Sequence, residues 1–244
     1  MKLLHAGLAI ALGSGLFAAT SHAQDSSHAQ DPKAYFYLVH AASGRNFSST
    51  ANPEMPVDVS VNGTCVVMGI SFGEIRGPYT ASTGTFSFKV SSANSVKPCG
   101  NSAIFSGTSS MFAANTYVGV VSLDASNAVT GQVYPLDLSS IAPGSARAFV
   151  INATTQNLGA TVTSLPTTDG SGGQFSAPAG TLQIATPPLG VNYTSIYIDQ
   201  TDTLEAGPVQ IETLARNAYI YVFAGSAANE TVQLIGPKVI HGVS

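Results

Sequence analysis

Tryptophan is absent from this 244-residue chain, charged residues make up only 9% of it, and cysteine occurs just twice. Each scarcity removes a class of function. Without tryptophan, a sugar-stacking platform would have to be built from tyrosine, a weaker case. The basic residues Lys33, Arg45, Arg76, Lys89, Lys97, Arg147, Arg216 and Lys238 are scattered, with no patch of interleaved aromatics. Beyond residue 23 the chain carries eight basic and thirteen acidic side chains, a net charge of −5, so no nucleic-acid partner is expected. Catalytic patterns are missing too. There is no His-x-His pair, and apart from the segment Asp199 to Glu205 the acidic residues sit singly in turns. No catalytic residue, cofactor or metal site is expected, and the chain reads as a non-enzyme.

Long apolar runs are confined to the N-terminus, which has the form of a signal peptide. Lys2 supplies a positive start, residues 3–19 are mostly apolar, and Ser21-His22-Ala23 ends in the small residues that cleavage requires. A second copy of the same five residues, Ser27 to Asp31, offers an alternative cleavage point after Ala29. Export to the periplasm, cell surface or medium is the expectation, with no membrane span in the mature chain. An even cysteine count in an exported protein favours a disulfide between Cys65 and Cys99.

What the chain does contain is an internal echo. Residues 34–41 (AYFYLVHA) align with 146–153 (ARAFVINA), residues 79–86 (YTASTGTF) with 175–182 (FSAPAGTL), and residues 115–118 (NTYV) with 217–220 (NAYI). Three matches in one order indicate a module used twice. Between them lie β-branched and aromatic runs at strand spacing, and helical periodicity is not evident. The clearest local signal runs from Val57 to Met68, where alternating valines flank Asn62-Gly63, a pair suited to a type I′ turn. A two-residue turn predicts that Val59 faces Val66. Val57, Val59, Val61, Val66 and Met68 would then face the core, with Asp58, Ser60 and Cys65 outside. The expected fold is all-β, with two tandem immunoglobulin-like or transthyretin-like sandwiches. A signal peptide (1–23) and a linker (24–33) precede a first module (34–140) and a diverged second module (146–238), in which the Asn-Gly hairpin is shortened.

The echoed residues resemble a known family, the domain of unknown function DUF4397. The resemblance rests on Val39-His40-Ala41, on Val57-Asp58-Val59-Ser60-Val61-Asn62-Gly63, on Phe72-Gly73, on Thr83-Gly84-Thr85 and on Tyr117-Val118-Gly119. The second half keeps Pro178-Ala179-Gly180-Thr181 but has Ile151-Asn152-Ala153 at the first triplet. What the resemblance implies is an exported bacterial protein, often of paired β-sandwich modules, with no activity or catalytic residues to transfer.

Three residues are candidates for a ligand surface. His40 sits inside a strand but has no partner at metal spacing, so a structural hydrogen bond is its simpler role. Tyr193 and Tyr197 flank a polar strand and would suit a sugar-binding surface. The segment from Asp199 to Glu205 is acidic but lacks the glycine of a calcium loop. The leading expectation is a binding, adhesive or scaffolding unit whose partner is an extracellular or envelope protein or a glycan. A carbohydrate-binding module is the alternative, and a hydrolase the remote one.

Overall fold

The β-branched runs become strands throughout the computed structural model, which describes residues 33–46, 51–111, 115–155, 160–166, 174–187, 189–198, 203–226 and 232–241. For 160–166, 174–176, 191–198 and 203–209 the description covers the backbone alone. The signal peptide, both cleavage points and residues 199–202 of the acidic segment lie outside the described residues.

The first half of the chain supplies β1 (Lys33–His40), β2 (Val57–Val61), β3 (Thr64–Ile70), β4 (Ile75–Ser82), β5 (Gly84–Ser92), β6 (Ala103–Met111), β7 (Thr116–Leu123) and β8 (Val129–Leu136). The second half supplies β9 (Arg147–Thr154), β10 (Ala160–Pro166), β11 (Gln174–Ala177), β12 (Leu182–Ala185), β13 (Gly190–Ile198), β14 (Thr203–Thr213), β15 (Ala218–Gly225) and β16 (Gln233–Ile240). They form four sheets of four strands. In the first half the orders are β4-β1-β7-β8 and β3-β2-β5-β6; in the second they are β12-β9-β15-β16 and β11-β10-β13-β14. Subtracting eight from the second set reproduces the first. The parallel pairing of β1 with β7 likewise recurs between β9 and β15.

Burial explains how the sheets stack. One apolar cluster joins Phe36 and Leu38 of β1 to Val57, Val59, Val67, Phe86 and Val90 of the neighbouring sheet. A second joins Tyr37 and Val39 of β1 and Val118 and Val120 of β7 to Phe149 and Ile151 of β9 and Ile220 and Val222 of β15. A third joins Val150, Tyr219 and Phe223 to Ala177 and Ile211. Alternate residues of β1 therefore serve two different cores. The β1 and β9 sheets are packed face to face, each covered on its far side by its own outer sheet. Strands β7, β9 and β15 are buried along almost their whole length, the near-continuous apolar pattern of a strand covered on both faces. Residues 31–244 form a single compact unit.

Two sequence expectations need correction. Asn62 and Gly63 have φ of 49° and 78°, as a type I′ turn requires, and Val61 faces Thr64 as expected. One residue further from the turn, a bulge shifts the register, so Val59 faces Val67 and not Val66. An extra residue in one strand reverses its facing. Val67 is accordingly 2% exposed, whereas Met68, expected in the core, is 58% exposed. Asp58 and Ser60, expected outside, are buried.

Secondly, the echo between residues 79–86 and 175–182 is displaced by one strand. Gly73 N donates to His40 O at 2.9 Å and His40 N to Glu74 O at 3.2 Å; Gly180 N donates to Asn152 O at 2.7 Å and Asn152 N to Thr181 O at 3.1 Å. Gly180 thus occupies the place of Gly73. The counterpart of Gly84 is Gly190, which likewise opens its strand with a large positive φ, 106° against 113°. The other two matches hold in register: Tyr35 N and Arg147 N reach the carbonyls of Asn115 and Asn217 at 3.0 and 3.1 Å. The counterpart of the Asn-Gly hairpin is shortened on its second strand, β11 with four residues against seven in β3, and lengthened on its first. β10 has seven residues against five in β2.

Candidate functional site

His40 is fully buried, and both ring nitrogens are engaged. Its Nε2 lies 2.8 Å from the carbonyl of Met55, and its Nδ1 accepts from the backbone N–H of Ala42 at 3.4 Å. That pairing selects the neutral tautomer protonated at Nε2. Burial pushes its pKa below the ordinary histidine value, against the opposing pull of the Met55 bond and the Glu74 charge. Phe72 stands edge-on to the ring, centroids 6.4 Å apart.

Asn152 does the same work in the second half. Its Nδ2 donates to Ala177 O at 2.7 Å, and its Oδ1 accepts from the N–H of Thr154, two residues on, at 3.1 Å. Each side chain ties the end of a central strand to the segment crossing it. With 0% exposure and both nitrogens bonded to backbone groups, His40 ties its strand to the crossing segment and presents no surface to a ligand.

Asp58 is a second tie. Its Oδ1 accepts from Gly69 N at 2.9 Å, and its Oδ2 from Asn94 N at 3.1 Å and Cys99 N at 2.8 Å. One carboxylate thus satisfies the bulge in β3 and the loop between β5 and β6. The same loop is held by the Cys65–Cys99 disulfide, with Cα atoms 5.8 Å apart, and by Lys89 Nζ on Asn101 O at 2.7 Å. This covering loop is why Asp58 is buried on the face expected to be exposed.

The backbone of Tyr193 and Tyr197 lies in β13 at the register positions that Ser87 and Ser91 hold in β5. Their side chains lie outside the described residues.

A polar cleft of about 200 Å³ opens at the seam between the halves, and its makers were not visible as a group in the sequence. From the first half come Ser122, Asp124, Thr130, Gln132 and Tyr134; from the second come Asn152, Thr154, Thr155, Ala179 and Gly180. Asp124 ends β7 in a tight turn, where its Oδ1 accepts from Ser126 Oγ at 2.6 Å, Ser126 N at 2.8 Å and Ala128 N at 3.0 Å. Those bonds hold its carboxyl below the usual carboxylate range, the Ser126 hydroxyl contributing most. The Tyr134 hydroxyl reaches Gln132 Oε1 and, at 3.0 Å, Gly180 O. Burial pushes this phenol up to about 12, so it stays neutral.

The reciprocal corner of the seam is built from the equivalent positions, and there Phe72 packs against the central apolar cluster. Gly73 lies by Gln233 of β16 as Gly180 lies by Gln132 of β8: a Cβ added to either would come 2.8 or 3.6 Å from the glutamine Nε2. In that corner Phe72 replaces Ala179, Ile235 replaces Gln132, Ala224 replaces Ser122 and Ala42 replaces Thr154. Phe72, Ile235 and Ala224 belong to the central apolar cluster. In the sequence the contrast was hidden because the echo paired Gly180 with Gly84, and so never set Ala179 against Phe72. The change from Ala42 to Thr154 was visible.

Among known proteins, the model of a family described as "Domain of unknown function (DUF4397)" matches residues 35–159. No curated protein matches. Two solved structures are similar at 9% identity over 80% of this chain: the Bacillus anthracis TIE protein, with a TM-score of 0.26, and a leucine-rich repeat protein from Bacteroides thetaiotaomicron VPI-5482, with a TM-score of 0.19. The chain spans 34% and 26% of their respective lengths.

Proposed function

The chain belongs to the DUF4397 family, and from that premise we propose that it is an exported, non-enzymatic binding or scaffolding unit made of two copies of one eight-strand module. The observation that carries this reading is the seam cleft, open and polar, whereas at the reciprocal corner Phe72 packs against the central apolar cluster. A fold that merely needed to hold its halves together gains nothing from leaving one corner unfilled, since lining atoms without neighbours forfeit contact energy. Export is supported by the signal-like N-terminus and by the Cys65–Cys99 disulfide, a bond suited to an oxidising compartment. The non-enzymatic reading is supported by His40, whose two nitrogens are already spent on backbone groups. The partner is an envelope or extracellular protein or a glycan.

Expression of the full chain in a bacterial host, followed by fractionation and N-terminal sequencing, tests export. The expected product is a mature protein starting at Gln24 or Gln30 outside the cytoplasm; an uncleaved cytoplasmic protein would refute it. Ester and glycoside substrates should remain unturned. Turnover lost on changing Asp124 to Asn would replace this reading with an enzymatic one.

A further inference from the structure

We propose that the seam cleft holds one neutral, polyhydroxylated unit: a single sugar ring or a small polyol, either free or at the end of a glycan. This rests on the reading of the protein as a binding unit and names the chemistry its cleft would take. Size is the first argument. About 200 Å³ far exceeds the ~10–15 Å³ of probe-occupied space that one water requires and falls below the ~300 Å³ at which pockets for drug-sized ligands begin.

The lining is the second argument. Asp124 is the one charged group in it, and no cation lines the cleft among the described residues. An anionic ligand would therefore meet uncompensated repulsion. All three described bonds to Asp124 fall on Oδ1, which leaves Oδ2 as an acceptor for ligand hydroxyls. Around it stand the hydroxyls of Ser122, Thr130 and Thr155, for which the described residues supply no hydrogen-bond partner, and the amide of Gln132. A hydroxyl both donates and accepts, so a ring of them beside a carboxylate suits a ligand whose edge is itself a row of hydroxyls. An apolar ligand would leave these groups unpaired.

The third argument is the substitution pattern across the seam. At the reciprocal corner Ser122 becomes Ala224, Thr154 becomes Ala42 and Ala179 becomes Phe72. The same backbone thus carries Phe72, Ala224 and Ala42 on one side, with Gln233 in the place of Thr130, and hydroxyls around a space on the other. A design with no ligand has no use for that asymmetry. Ala179 is the key position, since it is where Phe72 stands at the other corner.

The test uses the full mature protein and saturation-transfer NMR with calorimetry. The probes are free hexoses, pentoses and linear polyols, a soluble neutral polysaccharide, and calcium chloride alone. Binding of at least one hydroxylated probe is expected. Ala179→Phe, which copies Phe72, should abolish it, and Asp124→Asn should weaken it by about tenfold, the loss of a charge-assisted hydrogen bond. Should Ala179→Phe fail to fold, the Ser122→Ala/Thr154→Ala double variant copies the apolar corner with little change of volume, and should weaken binding likewise. Response to the polysaccharide alone would assign the glycan end, and response to free sugars the soluble ligand. Binding unchanged in Ala179→Phe, or no binding by any hydroxylated probe, overturns the proposal. Calcium binding lost in Asp124→Asn without sugar binding also overturns it, but leaves the wider reading as a binding unit standing. That wider reading fails separately, if the wild type is retained on no envelope or culture-medium fraction, protein or glycan.

Discussion

The two corners of the seam share a backbone and differ in filling. At one, Gly73 bonds His40 and Phe72 packs against the central cluster; at the other, Gly180 bonds Asn152 and a space stays open among hydroxyls. The comparison separates scaffold from specificity. Hydrogen bonds common to both corners hold strands to their crossing segments. Where the side chains part company, the halves have been given different tasks. The outer sheets differ in the same way, for only the first half has a disulfide-stapled loop seated on a buried aspartate.

The strongest way to break this comparison is to remove that aspartate. Asp58→Ala leaves three backbone N–H groups without their acceptor, each worth about 1–3 kcal/mol when buried. A loss of about 4 kcal/mol is expected in denaturant titration; one under ~1 kcal/mol would mean that water satisfies the loop. The position equivalent to Asp58 is Thr161, so no matching dependence on a carboxylate exists there.

Replacing both Cys65 and Cys99 by serine should cost slightly less. Releasing a cross-link over 34 residues removes about 3.8 kcal/mol on the chain-entropy model. Hydrogen exchange should quicken in the loop around Cys99 by local opening, and in β9 and β15 by no more than the loss of global stability. Uniform quickening would contradict a local staple.

Phe72→Ala makes its corner resemble the reciprocal one. Full burial would make the change cost about 3–5 kcal/mol. Phe72 is half-buried, so a loss of about 2 kcal/mol in thermal or denaturant unfolding is expected. A neutral result would show that Phe72 does not pack its corner.

The smallest effect belongs to His40. Its folded pKa is lowered, so below the unfolded value of about 6.5 the unfolded chain binds a proton that the folded chain resists. Stability is therefore whole above pH ~6.5 and declines as the pH falls toward the folded pKa. Glu74, the acidic neighbour that pulls the other way, moderates the decline. His40→Gln, whose amide reaches toward Met55 O, should cost less than ~1 kcal/mol at pH 8 and flatten the profile between pH 7 and 5. An unchanged slope would exclude His40 as its source.

Much of the scaffold was legible in the sequence because its signals are local. Asn62-Gly63 can adopt two positive φ angles in succession, and that fixes a hairpin without reference to anything distant. The all-β class and the cysteine pair were readable for similar reasons. The facing of Val66, Val67 and Met68 was not, because a bulge depends on how two strands meet and leaves no mark of its own in an alternating run. The stacking of inner sheets could have been read more fully: Tyr117 to Val121 and Tyr219 to Ala224 are continuous apolar runs, more than a strand with one wet face needs. The cleft was hidden because it unites residues from β7, β8, β9 and a turn more than fifty residues from Asp124. Only the correct pairing of the two glycine turns sets its residues beside their counterparts.

The position of β1 gives the molecule a mechanical polarity. This first strand lies inside its sheet, bonded to β4 on one side and, in parallel, to β7 on the other. A pull on the N-terminal end runs along β1 and must shear both ladders at once. A pull on the C-terminal end reaches β16, an edge strand that among the described residues is bonded to β15 alone. Under tension the tail gives way before the head.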